Sequence, residues 1–153
     1  MKIVFLDATT VGKDIDLSPF EELGDFKSYA TTRDSDILSR LEDCEIVIVN
    51  KVKLGAHILS QLPKLKLICL TATGMDNIDC SYADAHNIIV KNVKGYSTAS
   101  VVQHTFSLLF YLLHKSRYYD DYVKQGCWES SEIFAHLDKP FWEINQKKWG
   151  IIG

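Results

Sequence analysis

The sequence predicts an open α/β domain built on a parallel sheet, and three observations carry that prediction. Short apolar runs recur at Ile3-Val4-Phe5-Leu6, Ile46-Val47-Ile48-Val49, Leu67-Ile68-Cys69-Leu70 and Ile88-Ile89-Val90. They are continuous rather than alternating, which is how strands buried on both faces of a parallel sheet read. Helical patterns separate them, so strand and helix alternate along the chain, and right-handed crossovers are expected. The chain has 153 residues, 46% of them hydrophobic, enough for one compact core.

Each element follows in order. The first run is the first strand, and Phe26 to Ala30 is a weaker second one. Asp34 or Ser35 caps a helix with Ile37, Leu38 and Leu41 on one face. Gly55 to Leu62 offers Ile58, Leu59 and Leu62 before Pro63 ends it. Asp79 caps a helix through about His86. From Ser97 to about Gln125 the strand signal stops. Val101, Thr105, Leu108, Leu112 and Val102, Leu109, Leu113 recur at helical spacing, with Ser97 or Thr98 as N-cap and Gly126 as stop. One helix over that span is roughly 40 Å long, enough to run between two lobes or into a partner subunit. The aromatic-rich stretch of Trp128, Phe134, Phe141 and Trp142 then reads as an arm on another surface or as a loop on its own domain. The final run, Lys147-Lys148-Trp149-Gly150-Ile151-Ile152-Gly153, has the form of the first strand of a further sheet. The expected division is a sheet domain at 1–95, a long helix and arm at 96–146, and the start of a second domain at 147–153.

Composition narrows the function. Net charge is −3, from 17 basic and 20 acidic residues without a run of either sign, so no nucleic-acid partner is expected. The opening MKIVFLDATT is too short in its apolar region for a signal peptide, and the apolar stretch around Leu108 to Leu113 is too short to span a bilayer. No membrane partner is expected, and the location read from these features is cytoplasmic. Cys44, Cys69, Cys80 and Cys127 form no C-x-x-C pair. They read as reduced structural cysteines rather than a disulfide frame or a metal site, and no metal ligands are expected.

Three stretches follow strands on one edge of the expected sheet, where ligands of parallel sheets bind. Thr71-Ala72-Thr73-Gly74-Met75-Asp76-Asn77-Ile78-Asp79 follows Leu67–Leu70. Its small residues free backbone amides, and Gly74 permits close approach, so it can be an anion nest for a carboxylate or simply a turn. The stretch from Asn92 to His104 follows Ile88–Val90 and holds Tyr96. Asn50-Lys51 follows Ile46–Val49. Three strand-end loops facing one cleft argue for a small-molecule site better than any one does.

The segments VNKV at 49–52, LPKLKLICLTATGMDNID at 62–79, NVKGYSTASVVQHTFSLL at 92–109 and KKWGIIG at 147–153 closely resemble the D-isomer-specific 2-hydroxyacid dehydrogenases, in particular the glycerate dehydrogenase or hydroxypyruvate reductase branch. The resemblance covers almost the whole chain and is strongest from Ile46 to Leu113. It implies a flavodoxin-like substrate domain, an interdomain long helix with a dimerisation arm, and a truncated Rossmann domain. The implied cofactor is NAD or NADP, the implied ligand a small 2-keto or 2-hydroxy acid, and the implied assembly a homodimer through the long helix and arm. By the same resemblance Thr73, Gly74 and Met75 match a carboxylate-binding turn, and Thr73 and Val101 match positions beside the nicotinamide. Tyr96 matches a tyrosine lining the substrate pocket, and Gly153 matches the first glycine of the dinucleotide loop. Asn50 and Lys51 are substrate-binding candidates by location alone. The family's catalytic arginine, glutamate and histidine are expected beyond residue 153, so no catalytic residue is assigned in this chain, which alone is expected to be inactive. His104 matches a helix position rather than the acid/base. His57, His86, His114 and His136 read as surface or packing residues. The expected function is that of the N-terminal part of an NAD(P)-dependent oxidoreductase reducing hydroxypyruvate- or glyoxylate-type 2-keto acids to D-2-hydroxy acids. The alternative is a non-catalytic truncated binding or dimerisation module.

Overall fold

Five short strands form one sheet: β1 (Lys2–Phe5), β2 (Asp25–Ser28), β3 (Ile46–Val49), β4 (Leu67–Leu70) and β5 (Ile89–Lys91). The computed structural model describes residues 1–152. The sheet order is β2-β1-β3-β4-β5 and every neighbouring pair is parallel, which is the flavodoxin-like order. The first three apolar runs become strands because each buries side chains on both faces, whereas β5, at the edge, leaves Ile89 exposed. Val4, Leu6, Val47, Val49, Ile68 and Leu70 enter one core with Ile37 of α1 (Ile37–Arg40), Leu41 just after it, and Ile58 and Leu59 of α2 (Ala56–Leu59). Ile3, Phe5 and Ile48 point the other way, against Val11, Leu17, Phe20 and Phe26.

Local chemistry sets the element ends. Gly24 enters β2 pressed against the Met1 carbonyl, where an added Cβ would collide with backbone. The Asp79 carboxylate accepts from the Tyr82 amide at 2.9 Å and starts α3 (Cys80–Ala85), as expected of a helix cap. The cap of α1 differs from expectation. Residues 34–36 form a single 3₁₀ turn, and Asp36 is the N-cap with no side-chain cap bond. Its carboxylate faces Arg33 and Arg40 instead.

Residues 1–96 form one compact unit and the chain from Ser97 another. In the second unit the expected single helix is two. α4 (Thr98–Leu113) ends at His114, and Lys115 takes a left-handed φ of 52° before α5 (Ser116–Lys124). The sequence carries no breaker at this point, since no glycine or proline occurs between Ser97 and Gln125, and the break rests on a single residue in the left-handed region. α5 then stops at Gly126, whose φ of +75° needs no Cβ. The aromatic arm folds onto these two helices. Tyr118 Oη lies 2.6 Å from His136 Nε2, Tyr119 Oη donates to the Lys139 carbonyl at 2.6 Å, and Phe141 stacks near His114. Residues 147–152 are not a strand. A strand needs a neighbouring ladder for its amides, and among the described residues none pairs with them. Trp149 instead packs edge-on against Phe106.

Cys44 is buried beneath β3, and burial pushes its thiol up to about 11. The unfolded thiol ionises near its ordinary value while the folded one stays neutral, so stability is intact below about pH 9 and falls as pH rises toward 11. Urea titrations should show a loss of up to about 3 kcal/mol across that window, and Cys44→Ala should lack that component of the slope. Equal slopes in both proteins would contradict it.

Candidate functional site

The chain leaves β1, crosses to β2, and returns past β1 to β3, so the strand order reverses between β1 and β3. Ligands of such sheets bind outside the carboxyl ends at that reversal. Asp7 follows β1 there and is buried, 4% exposed. Its carboxylate accepts from three successive amides of the loop after β3: Asn50 at 2.9 Å, Lys51 at 2.6 Å and Val52 at 3.3 Å. Successive amides converging on one anion are a nest, and here the anion is the protein's own. Asn50 and Lys51, the substrate-binding candidates by location, lie on this loop. Their amides are committed to Asp7, and the Lys51 side chain points to solvent.

A second set of bonds ties the remaining loops. The Asn77 side-chain amide donates to the carbonyls of Val52 at 2.9 Å and Asn50 at 3.3 Å. Thr73 Oγ1 donates to the Val93 carbonyl at 2.9 Å, and the Asn92 side chain donates to the Thr73 carbonyl at 2.6 Å. The loops after β3, β4 and β5 are thus one cross-braced edge. Within it Thr73 and Gly74 are exposed. Among the described residues, neither of their amides donates to a protein acceptor. A Cβ on Gly74 would meet only Asp76 Oδ2, at 3.7 Å, so this turn has open space beside its free amides. That arrangement can hold a carboxylate without a cationic side chain.

Gly95 has a φ of +74°, a conformation glycine takes at little cost, and it delivers Tyr96 to the same edge. Asn50, Thr71 and Tyr96 meet around a cavity of about 420 Å³. Asn50 Oδ1 and Thr71 Oγ1 are buried and without a hydrogen-bond partner among the described residues. Met75, next to Gly74, is exposed. It lines a second groove with Cys80, Asp84 and Ile88. Val101 lies on α4 in the second unit, exposed, and Gly153 lies outside the described residues. Among the described residues no group of three or more His, Cys, Asp or Glu is placed to hold a metal ion, and no helix is long and apolar enough to cross a membrane.

Sequence reasoning missed Asp7, Thr71 and the bracing role of Asn77 and Asn92. The signal for Asp7 was present: a lone carboxylate directly after the buried run Ile3–Leu6. If Asp7 holds the loop, Asp7→Ala should destabilise the chain by about 2–4 kcal/mol in urea unfolding, because several donors lose a charged acceptor. Asp7→Asn, which keeps one acceptor oxygen, should recover about half. Amide exchange at 50–52 should quicken in both, and unchanged exchange would refute the anchor.

The family model for the D-isomer specific 2-hydroxyacid dehydrogenase catalytic domain matches residues 3–139. A glycerate dehydrogenase of Methylorubrum extorquens is 37% identical over 99% of this chain and 48% of its own length. A hydroxypyruvate reductase of Blautia hydrogenotrophica is 33% identical over 100% of this chain and 49% of its own. The chain spans about half the length of the curated relatives it matches. A D-lactate dehydrogenase from Aquifex aeolicus, solved with NAD and lactic acid, superposes with a TM-score of 0.71 at 26% identity, covering 94% of this chain and 42% of that one.

Proposed function

From the premise that the chain belongs to the D-isomer specific 2-hydroxyacid dehydrogenases, we propose that it supplies the substrate half of a reductase for small 2-keto acids. The observation that carries this is the pair of free amides at Thr73 and Gly74, on a braced turn at the carboxyl end of β4. They bind the substrate carboxylate, and Tyr96 lines the space beside it. Relatives with the names glycerate dehydrogenase and hydroxypyruvate reductase support hydroxypyruvate or glyoxylate as the substrate type and a D-2-hydroxy acid as product.

In this reading residues 1–95 are the substrate domain, 96–146 the interdomain helices and arm, and 147–153 the entry to a nucleotide domain. The nicotinamide cofactor, NAD or NADP, supplies the hydride. The described residues do not form a dinucleotide site, since 147–152 show no strand-turn-helix for a pyrophosphate. Hydride transfer is therefore assigned to the whole protein, and this chain's residues bind and orient the keto acid. Thr73 and Val101 are proposed to flank the nicotinamide there, with Met75 beside the carboxylate turn. The protein is proposed to work in the cytoplasm, a reading supported by four unpaired cysteines.

The test is cofactor consumption by the protein that carries this chain, followed by loss of NADH or NADPH absorbance. Turnover is expected with hydroxypyruvate or glyoxylate, and none over a broad 2-keto acid panel would overturn the proposal. The 153-residue chain alone should show none.

The same reading includes a homodimer. α4 exposes Val101, Val102, Phe106, Leu108 and Leu112 and buries none of its residues, an apolar surface of the kind association covers. Sedimentation equilibrium should report a dimer, and Leu112→Glu should shift it toward monomer by at least about tenfold in Kd. A wild-type monomer at all concentrations would reject the interface.

A further inference from the structure

We infer that Asn92 is a positioning residue for the carboxylate turn: by holding the Thr73 carbonyl, its side-chain amide aims the Gly74 N–H at the substrate. The inference rests on the reading of Thr73 and Gly74 as the carboxylate site.

The peptide unit is the starting point. The described residues contain no cis peptide bond, and in a planar trans unit the C=O and the N–H point to opposite sides. A group that grips a carbonyl therefore also sets the direction of the amide in the same unit. The Thr73 N–H shares its unit with the Ala72 carbonyl, and the Gly74 N–H shares its unit with the Thr73 carbonyl. The Val93 amide donates to the Ala72 carbonyl at 3.1 Å, and Asn92 Nδ2 donates to the Thr73 carbonyl at 2.6 Å.

Two adjacent residues after β5 thus hold two successive carbonyls. Both carbonyls turn toward that segment, and both amides turn away from it. Along a regular strand successive amides alternate in direction, whereas an anion nest needs them on one side. The second grip is what departs from the strand pattern and makes the nest.

The two grips differ in origin. The first comes from a main-chain amide, which every residue but proline supplies. The second comes from a side chain, and only the NH2 end of an asparagine can face a carbonyl. Among the described residues no other donor reaches the Thr73 carbonyl. Thr73 Oγ1, bonded to the Val93 carbonyl at 2.9 Å, fixes the chain as far as Thr73 but leaves the next peptide unit free to turn. That turn changes the φ of Gly74, and glycine accepts the change at little steric cost. Asn92 is therefore the group that selects one orientation of this unit. It is half-buried and outside the apolar clusters of the sheet, so its replacement leaves the core in place.

The experiment is NMR on the 153-residue chain as wild type, Asn92→Ala and Asn92→Asp. Without ligand, the Gly74 HN–Hα couplings should report one φ in the wild type and an average of two in Asn92→Ala. The Thr73 carbonyl carbon and the Gly74 nitrogen should shift with them, while the amides of β1, β3 and β4 stay in place. Titration then uses hydroxypyruvate, with hydroxyacetone as the matching ketone that lacks the carboxylate. Only hydroxypyruvate should move the Gly74 amide, and Asn92→Ala should weaken it at least about tenfold. In Asn92→Asp a carboxylate faces the Thr73 carbonyl at neutral pH, so binding should fall below that of Asn92→Ala. Lowering the pH through the ordinary aspartate range, about 4, returns a donor, and affinity should then exceed that of Asn92→Ala at the same pH. Recovery only to the Asn92→Ala level would reflect charge relief alone and would overturn the donor role. Unchanged couplings and shifts at Thr73 and Gly74 in Asn92→Ala, or unweakened binding of hydroxypyruvate, would overturn the inference. If the couplings change but hydroxypyruvate never moves the wild-type Gly74 amide, the carboxylate reading fails and the hold of Asn92 on the peptide stands.

Discussion

The Asp7 carboxylate, buried at the reversal of strand order, is the constraint on which the site depends. A carboxylate is taken out of water there only because successive amides of residues 50–52 converge on it. The bond works in both directions. It satisfies a charge that would otherwise be expensive to bury, and it removes the conformational freedom of a loop with no regular structure. Asn77 then locks the same loop from the β4 side, and the 73–93 contacts extend the bracing to β5. Three loops become one surface, so the free amides at Thr73 and Gly74 keep a fixed position.

The sheet makes this possible by burying both faces unequally. One face is covered by α1, α2 and α3 through a large continuous core. The other carries a small cluster around Ile3, Phe5 and Ile48, covered by the 8–20 segment and its two 3₁₀ turns. That segment packs loosely enough to leave a cavity where it meets the strand ends. A well-covered face gives stability, and a thinly covered one leaves room for a ligand beside the loops.

The second unit follows a different rule. Its helices bury no residue fully, and their order comes from aromatic stacking and a few hydrogen bonds with the arm. Tyr118, Tyr119, Tyr122 and His136 form one such cluster. Large apolar side chains, among them Phe134 and Trp142, remain exposed. Such a unit is suited to association, in contrast to the self-sufficient packing of residues 1–96.

The sequence by itself determined the strands, the class of the sheet and the edge on which chemistry gathers. Continuous apolar runs have a single stable use in a chain of this size, which is burial between two layers. It also singled out the turn of Thr73 and Gly74, a run of small residues directly after a buried strand. Only the tertiary structure decided the break at Lys115 and the cavity shared by Asn50, Thr71 and Tyr96. It alone also showed Asp7 as the acceptor for residues 43 to 45 positions further along the chain. These depend on one backbone torsion or on contacts between distant segments. Periodicity records which face of a residue is apolar, but it carries no information about which loop that residue will meet.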